Sequence, residues 1–118
     1  MAGPIILSGQ EVADNTDILQ GTRLQTVPQG GFLTFELQGS DNDATNNYTV
    51  SVQMPGGDTP MNATRVPCGN STGLAGVIDS RTCLTATFPI TQGGHCVFSA
   101  DETGDAELSW RVTYSPIQ

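Results

Sequence analysis

The chain has 118 residues, with four arginines and no lysine against twelve acids, for a formal net charge of −8 at pH 7. That length is one domain's worth, and a surface so acidic has nothing with which to displace counterions from a phosphate backbone. Nucleic acid is therefore excluded as a main partner, and so is an anionic membrane surface. Charged residues make up 14% of the chain, about half the usual share, while Thr, Ser, Asn and Gln supply 37 residues and carry solubility in their place.

The first eight residues hold the longest apolar run, Pro4, Ile5, Ile6 and Leu7, far short of the ~20 residues that span a bilayer. They also lack the basic start and longer apolar stretch of a secretory signal, so the expectation is a chain made in a cytoplasm or one already trimmed. Two roles suit this segment. It is either an extended arm, 1–8, that adds a strand to a partner's sheet edge, or the first strand of the chain's own sheet. In the first role Pro4, Ile5, Ile6 and Leu7 are the candidate partner-binding residues, and 9–118 form a single β domain.

Beyond this point the apolar residues alternate in short stretches and never follow a 3.6-residue period at length, which predicts an all-β chain. Ile18 to Val27, interrupted at Gly21, is one expected strand. Gly31 to Gln38 is a second, with Leu33, Phe35 and Leu37 on one face and Phe32 opposite, where Phe32 suits an end anchor. Asn47 to Met54 sends Tyr48, Val50, Val52 and Met54 to one side, the pattern of a half-buried antiparallel strand. Ala63 to Val66, Cys83 to Phe88 and Cys96 to Ser99 are shorter candidates. Ala106 to Tyr114 closes the series, with Leu108, Trp110, Val112 and Tyr114 on one face.

Turn material rich in Gly, Pro, Asn and Asp separates these elements, and the stretch from Gly69 to Ser80 reads as a long loop. About eight short strands so punctuated predict an antiparallel β-sandwich, a jelly roll or a small barrel.

Few residues offer chemistry. His95 is the single histidine, so a base and its partners would all have to gather around it, which argues against an enzyme. With Cys68, Cys83 and Cys96 it supplies the residue types of a zinc site, but no Cys-x2-Cys pair sets two ligands on one turn. Buried reduced thiols are the simpler reading, and a Cys68–Cys83 disulfide is the simplest pairing if one forms. Asp41, Asp43 and Asn46 cluster oxygens in one loop and are the candidate calcium ligands, as are Asp101, Glu102 and Asp105 near the C-terminus. An EF-hand is excluded because Val52 falls where the bidentate Glu belongs. Both clusters also suit ordinary turns, so no cofactor or metal is assigned. The sequons at Asn47, Asn62 and Asn70 mark glycosylation sites only if the chain is secreted.

The size, the all-β pattern, the near absence of charge runs, and the glycine-rich turns Val27-Pro28-Gln29-Gly30-Gly31 and Pro89-Ile90-Thr91-Gln92-Gly93-Gly94 have a parallel. So does the closing strand Leu108 to Tyr114 before Ser115-Pro116. In these features the chain resembles the small decoration, or cement, proteins of tailed bacteriophages. The resemblance covers most of the chain loosely and transfers no site residue.

It implies a non-enzymatic virion protein on the capsid exterior, made in the host cytoplasm. Such a protein bridges major capsid protein subunits as a homo-oligomer, a trimer first and a dimer second. The alternative is a carbohydrate- or cell-surface-binding β-sandwich, with calcium dependence as an option, in which Asp41, Asn42, Asn46 and Asp58 hold the ion or the sugar.

Overall fold

The structure is a computed structural model that describes residues 3–11, 13–40, 47–67, 84–91, 94–103 and 107–117. Seven strands occur among them: β1 (Ile5–Glu11), β2 (Gly31–Ser40), β3 (Asn47–Gln53), β4 (Met61–Pro67), β5 (Leu84–Ile90), β6 (Val97–Thr103) and β7 (Glu107–Pro116). They form two antiparallel sheets, one of four strands in the order β1-β7-β2-β5 and one of three in the order β4-β3-β6. The all-β expectation holds, as an open sandwich rather than a barrel.

The alternation read from the sequence is what faces the two sheets together. Leu33, Phe35 and Leu37 of β2 and Leu108, Trp110, Val112 and Tyr114 of β7 meet Tyr48, Val50 and Val52 of β3 and Phe98 and Ala100 of β6 in one buried core. Aromatic edges join the layers: Phe98 meets Phe35 with ring centroids 5.1 Å apart and Trp110 at 6.2 Å. Edge-to-face pairs of this kind add to what area burial alone supplies.

The stretch from Ile18 to Val27 departs from expectation, being a series of turns rather than a strand. Its backbone N–H groups point three residues back, from Gln20 to Asp17, Thr22 to Leu19 and Gln25 to Thr22, and Gly21 takes a positive φ of 78°. The reason is visible in the spacing. Ile18, Leu19, Leu24 and Val27 are all buried, and these positions break the every-second-residue rhythm that a strand requires.

Just before these turns, Asn15 forms an isolated antiparallel bridge to Ala100 of β6. Asn15 N donates to Ala100 O at 2.9 Å, Ala100 N donates back at 2.8 Å, and Ile18 N donates to Phe98 O at 2.7 Å. This segment takes a fourth place, beside β6, in the smaller sheet. Counted between β1 and β2, it makes the sheet orders first-eighth-third-sixth and second-seventh-fourth-fifth. Every connection except β3 to β4 then passes from one sheet to the other, which is a jelly roll whose second strand has shrunk to a single bridge.

Candidate functional site

Two surfaces stand out, one on the outside of each sheet. On the four-stranded sheet, the outward positions run Ile6, Ser8 and Gln10 on β1, Ser109, Arg111 and Thr113 on β7, and Phe32, Thr34, Glu36 and Gln38 on β2. Most of this face is polar. Arg111 makes a two-pronged contact with Glu36, Nε to Oε1 at 2.7 Å and Nη2 to Oε2 at 2.8 Å, which holds the Glu36 carboxyl below its usual range. Thr34 and Thr87 share a hydroxyl hydrogen bond at 3.0 Å.

At one end the character changes, because Ile6, Phe32 and Ile117 are 63%, 42% and 57% exposed. Register places them at the same end of the sheet. Ile6 lies opposite Thr113, Phe32 lies between Ser115 and Pro89 on the neighbouring strands, and Ile117 follows β7 with its N–H on Gly30 O at 3.0 Å. Pro4 and Pro89 are also exposed here. Close strand packing carries the corner: a Cβ on Gly31 would stand 2.9 Å from the Pro116 Cα, so the position demands glycine.

The expected partner-binding residues are divided by this arrangement. Ile5 to Leu7 lie in β1, hydrogen-bonded to β7 of the same chain, so of the two roles open to the segment the structure places it in its own sheet. Ile5 is buried and Leu7 half-buried, while Pro4 and Ile6 face outward. Phe32 joins them, and its sequence signal was its parity with Thr34, Glu36 and Gln38 on the polar side of the strand.

On the outside of the smaller sheet lies a groove of about 390 Å³, lined by Asp14, Thr16, Thr49, Ser51, Ser99 and Asp101 among others. Its floor is β3 and β6, whose Thr49 and Asp101, and Ser51 and Ser99, are register partners. One side is the bridge segment. Glu11 fixes that segment: its Oε1 accepts from Asn15 Nδ2 at 2.9 Å, its Oε2 from Trp110 Nε1 at 3.2 Å, and its carbonyl from the Tyr48 hydroxyl at 3.1 Å.

The other side is a bulge in β4, where Asn62 and Ala63 both oppose Ser51. Ala63 sits at a φ of 48° and its N–H donates to Ser51 Oγ at 2.8 Å. Bulges of this kind re-aim the backbone at a sheet edge.

Within the groove the Asp14 and Asp101 carboxyls share a hydrogen bond, which together with the Asp14 charge pushes the Asp101 carboxyl up. Asp101 is thus drawn to Asp14, and among the described residues no group of three or more His, Cys, Asp or Glu is set to hold a metal ion. The other expected calcium ligands, Asp41, Asp43 and Asn46, lie outside the described residues, as do Asn42, Asp105, Asn70 and the cysteines Cys68 and Cys83. Asp58 is exposed at the tip of the β3–β4 hairpin, where its carbonyl accepts from Met54 N at 2.6 Å. Asn62 is exposed on β4.

Cys96 is a buried free thiol, pushed up to about 12 by burial and by the charge of Asp17. Its neighbour His95 is engaged at both ring nitrogens, by the Gln25 carbonyl at 2.6 Å and by Asp17 Oδ2 at 2.9 Å.

No protein-family model matches the chain, and no curated protein matches it at significant similarity.

Proposed function

We propose that this protein is a non-enzymatic virion component, a decoration protein that binds the outside of an icosahedral phage head and bridges major capsid protein subunits as a homo-oligomer. The observation that carries the reading is the apolar end of the larger sheet, where Ile6, Phe32 and Ile117 are exposed on one face. Exposed large side chains at one end of a sheet, interleaved with Thr and Ser, suit a protein partner better than open water.

The charges on the rest of that face are the mutually neutralising Arg111–Glu36 pair and, at the far end, Glu107, whose carboxylate accepts from Gln10 Nε2 at 2.8 Å, so docking the apolar end costs little charge desolvation. Weak contacts of this size hold a shell firmly once a symmetric oligomer engages several subunits together. Jelly rolls occur in capsid proteins as well as in lectins, and that likeness is one of fold alone.

The test is co-sedimentation with expanded empty capsids assembled from the major capsid protein of the same virus. Saturable binding at a fixed ratio per capsomer, unaffected by chelator and weakened at least tenfold by Phe32→Asp, supports the reading. A monomer in native mass spectrometry that ignores capsids overturns it.

One observation favours a second reading. The groove beside Asp14 and Asp101 presents hydroxyls and carboxylates to solvent, the donor and acceptor set of a carbohydrate- or cell-surface-binding module. Glycan-array binding lost in Asp101→Asn would establish it.

A further inference from the structure

We infer that His95 is a pH-operated latch for the 17–25 loop: as an imidazolium it donates to Asp17 and to the Gln25 carbonyl together, and on losing a proton it must release one of them. The argument rests on what faces the ring. Nδ1 lies 2.6 Å from the Gln25 carbonyl oxygen and Nε2 lies 2.9 Å from Asp17 Oδ2. A backbone carbonyl has no proton to give, and neither does a carboxylate. A neutral imidazole carries one N–H, so it satisfies one of these acceptors and opposes the other with a lone pair. Only the doubly protonated ring fits both.

The two acceptors stand at opposite ends of one loop. Between them the chain makes three short turns, with Leu19 and Leu24 buried beneath. Near its two ends it is tied to the same stretch that carries His95, by Ile18 N to Phe98 O at 2.7 Å and by Val27 N to Gly94 O at 3.2 Å. His95 therefore closes a ring of contacts, and losing one contact loosens the loop while the two leucines keep it docked. Asp17 depends on the arrangement, because its second oxygen, Oδ1, is buried with no hydrogen-bond partner.

The charged and titratable surroundings favour the closed state. Asp17, facing the ring from the loop, is the first cause holding His95 above the usual histidine range; Gln25 O adds to this and burial opposes it. From the β6 side the adjacent Cys96 thiol, pushed up to about 12, stays neutral throughout, and Arg23, the loop's other charge, is exposed. A raised histidine value means that the stabilisation is complete below the unfolded value, near ~6.5, and disappears as pH rises through the folded one. Asn15 and Thr16, which line the groove, directly precede Asp17, so the latch also sets one wall of that groove.

His95 is the chain's single histidine, which gives a clean probe. In nitrogen–proton NMR of the intact protein, both ring nitrogens are expected to be protonated at pH 6, with a midpoint above ~6.5. Amide exchange of Leu19 to Gln25, corrected for its intrinsic pH dependence, is expected to accelerate severalfold across that midpoint while β7 amides do not respond. Asp17→Asn is expected to move the midpoint down, and His95→Gln to abolish the step in exchange. Should His95→Gln fail to fold, the wild-type titration decides alone. A midpoint at or below the ordinary histidine value, an unprotonated ring nitrogen at pH 6, or loop exchange that ignores the midpoint overturns the proposal.

Discussion

The indole of Trp110 lies across Gly9, its register partner in the β1–β7 pair. A Cβ on Gly9 would stand 2.7 Å from Cζ2 and 3.0 Å from Cε2 of the ring. Glycine here is a packing requirement, since φ at this position is ordinary and only the missing side chain makes room. Gly9→Ala forces the indole or the edge strand to shift, at a cost of about 1–3 kcal/mol. Urea unfolding is expected to show a lower midpoint at unchanged slope; an unmoved midpoint would mean that the ring swings aside freely.

Trp110 itself is the largest aromatic in the core, stacked edge-on against Phe98 and tied by Nε1 to Glu11. Trp110→Ala is expected to cost on the order of 3–5 kcal/mol. Trp110→Phe keeps much of the packing but strands Glu11 Oε2, and should cost less. Near-neutral behaviour of the alanine variant in a thermal melt would contradict the burial of this face.

The strands that alternate cleanly, β2, β3 and β7, were legible because one face of each is buried and the other is wet. That contrast writes a period of two into the residues themselves. Ile18 to Val27 lacks that period: its four aliphatics suggest a strand by composition alone, whereas they reach the core from a chain of turns. The bridge at Asn15 left no apolar signal, because its role is carried by backbone hydrogen bonds that any sequence can make. Of the groove only Asp101 stood out, as a candidate calcium ligand; Thr49 and Ser51 are ordinary polar residues until register sets them beside Asp101 and Ser99. Phe32 carried a partial signal, an aromatic on the polar side of its strand that suits an end anchor, and Pro4 and Ile6 of the expected partner-binding segment are further exposed residues of that end.

Ala63 holds a left-handed conformation, φ 48°, at the bulge facing Ser51. An L-residue there carries about 1–2 kcal/mol of steric cost, against the 0.5–1 kcal/mol that glycine ordinarily loses in entropy. Ala63→Gly is therefore expected to raise stability by up to about 1 kcal/mol, the reverse of the usual effect of glycine in a strand. Chemical denaturation decides it, and a clear loss of stability would show that the bulge relaxes without glycine.

The Asp14–Asp101 pair gives the groove its own pH dependence, opposite in sign to that of a salt-bridged carboxylate. Hydrogen bonding to Asp14, and then the Asp14 charge, push the Asp101 carboxyl above its usual range, so the folded state holds a proton there that the unfolded chain releases. The stabilisation is complete below the unfolded carboxylate value and is lost as pH rises through the higher folded one. Asp101→Asn removes the like-charge repulsion while keeping a hydrogen-bond donor for Asp14. The variant is therefore expected to melt above the wild type at pH 7, and the gap should close as pH is lowered through the folded Asp101 value. A gap that stays constant between pH 3 and 7 would show that the two carboxyls titrate independently, leaving the groove an open pair of charges rather than a shared proton.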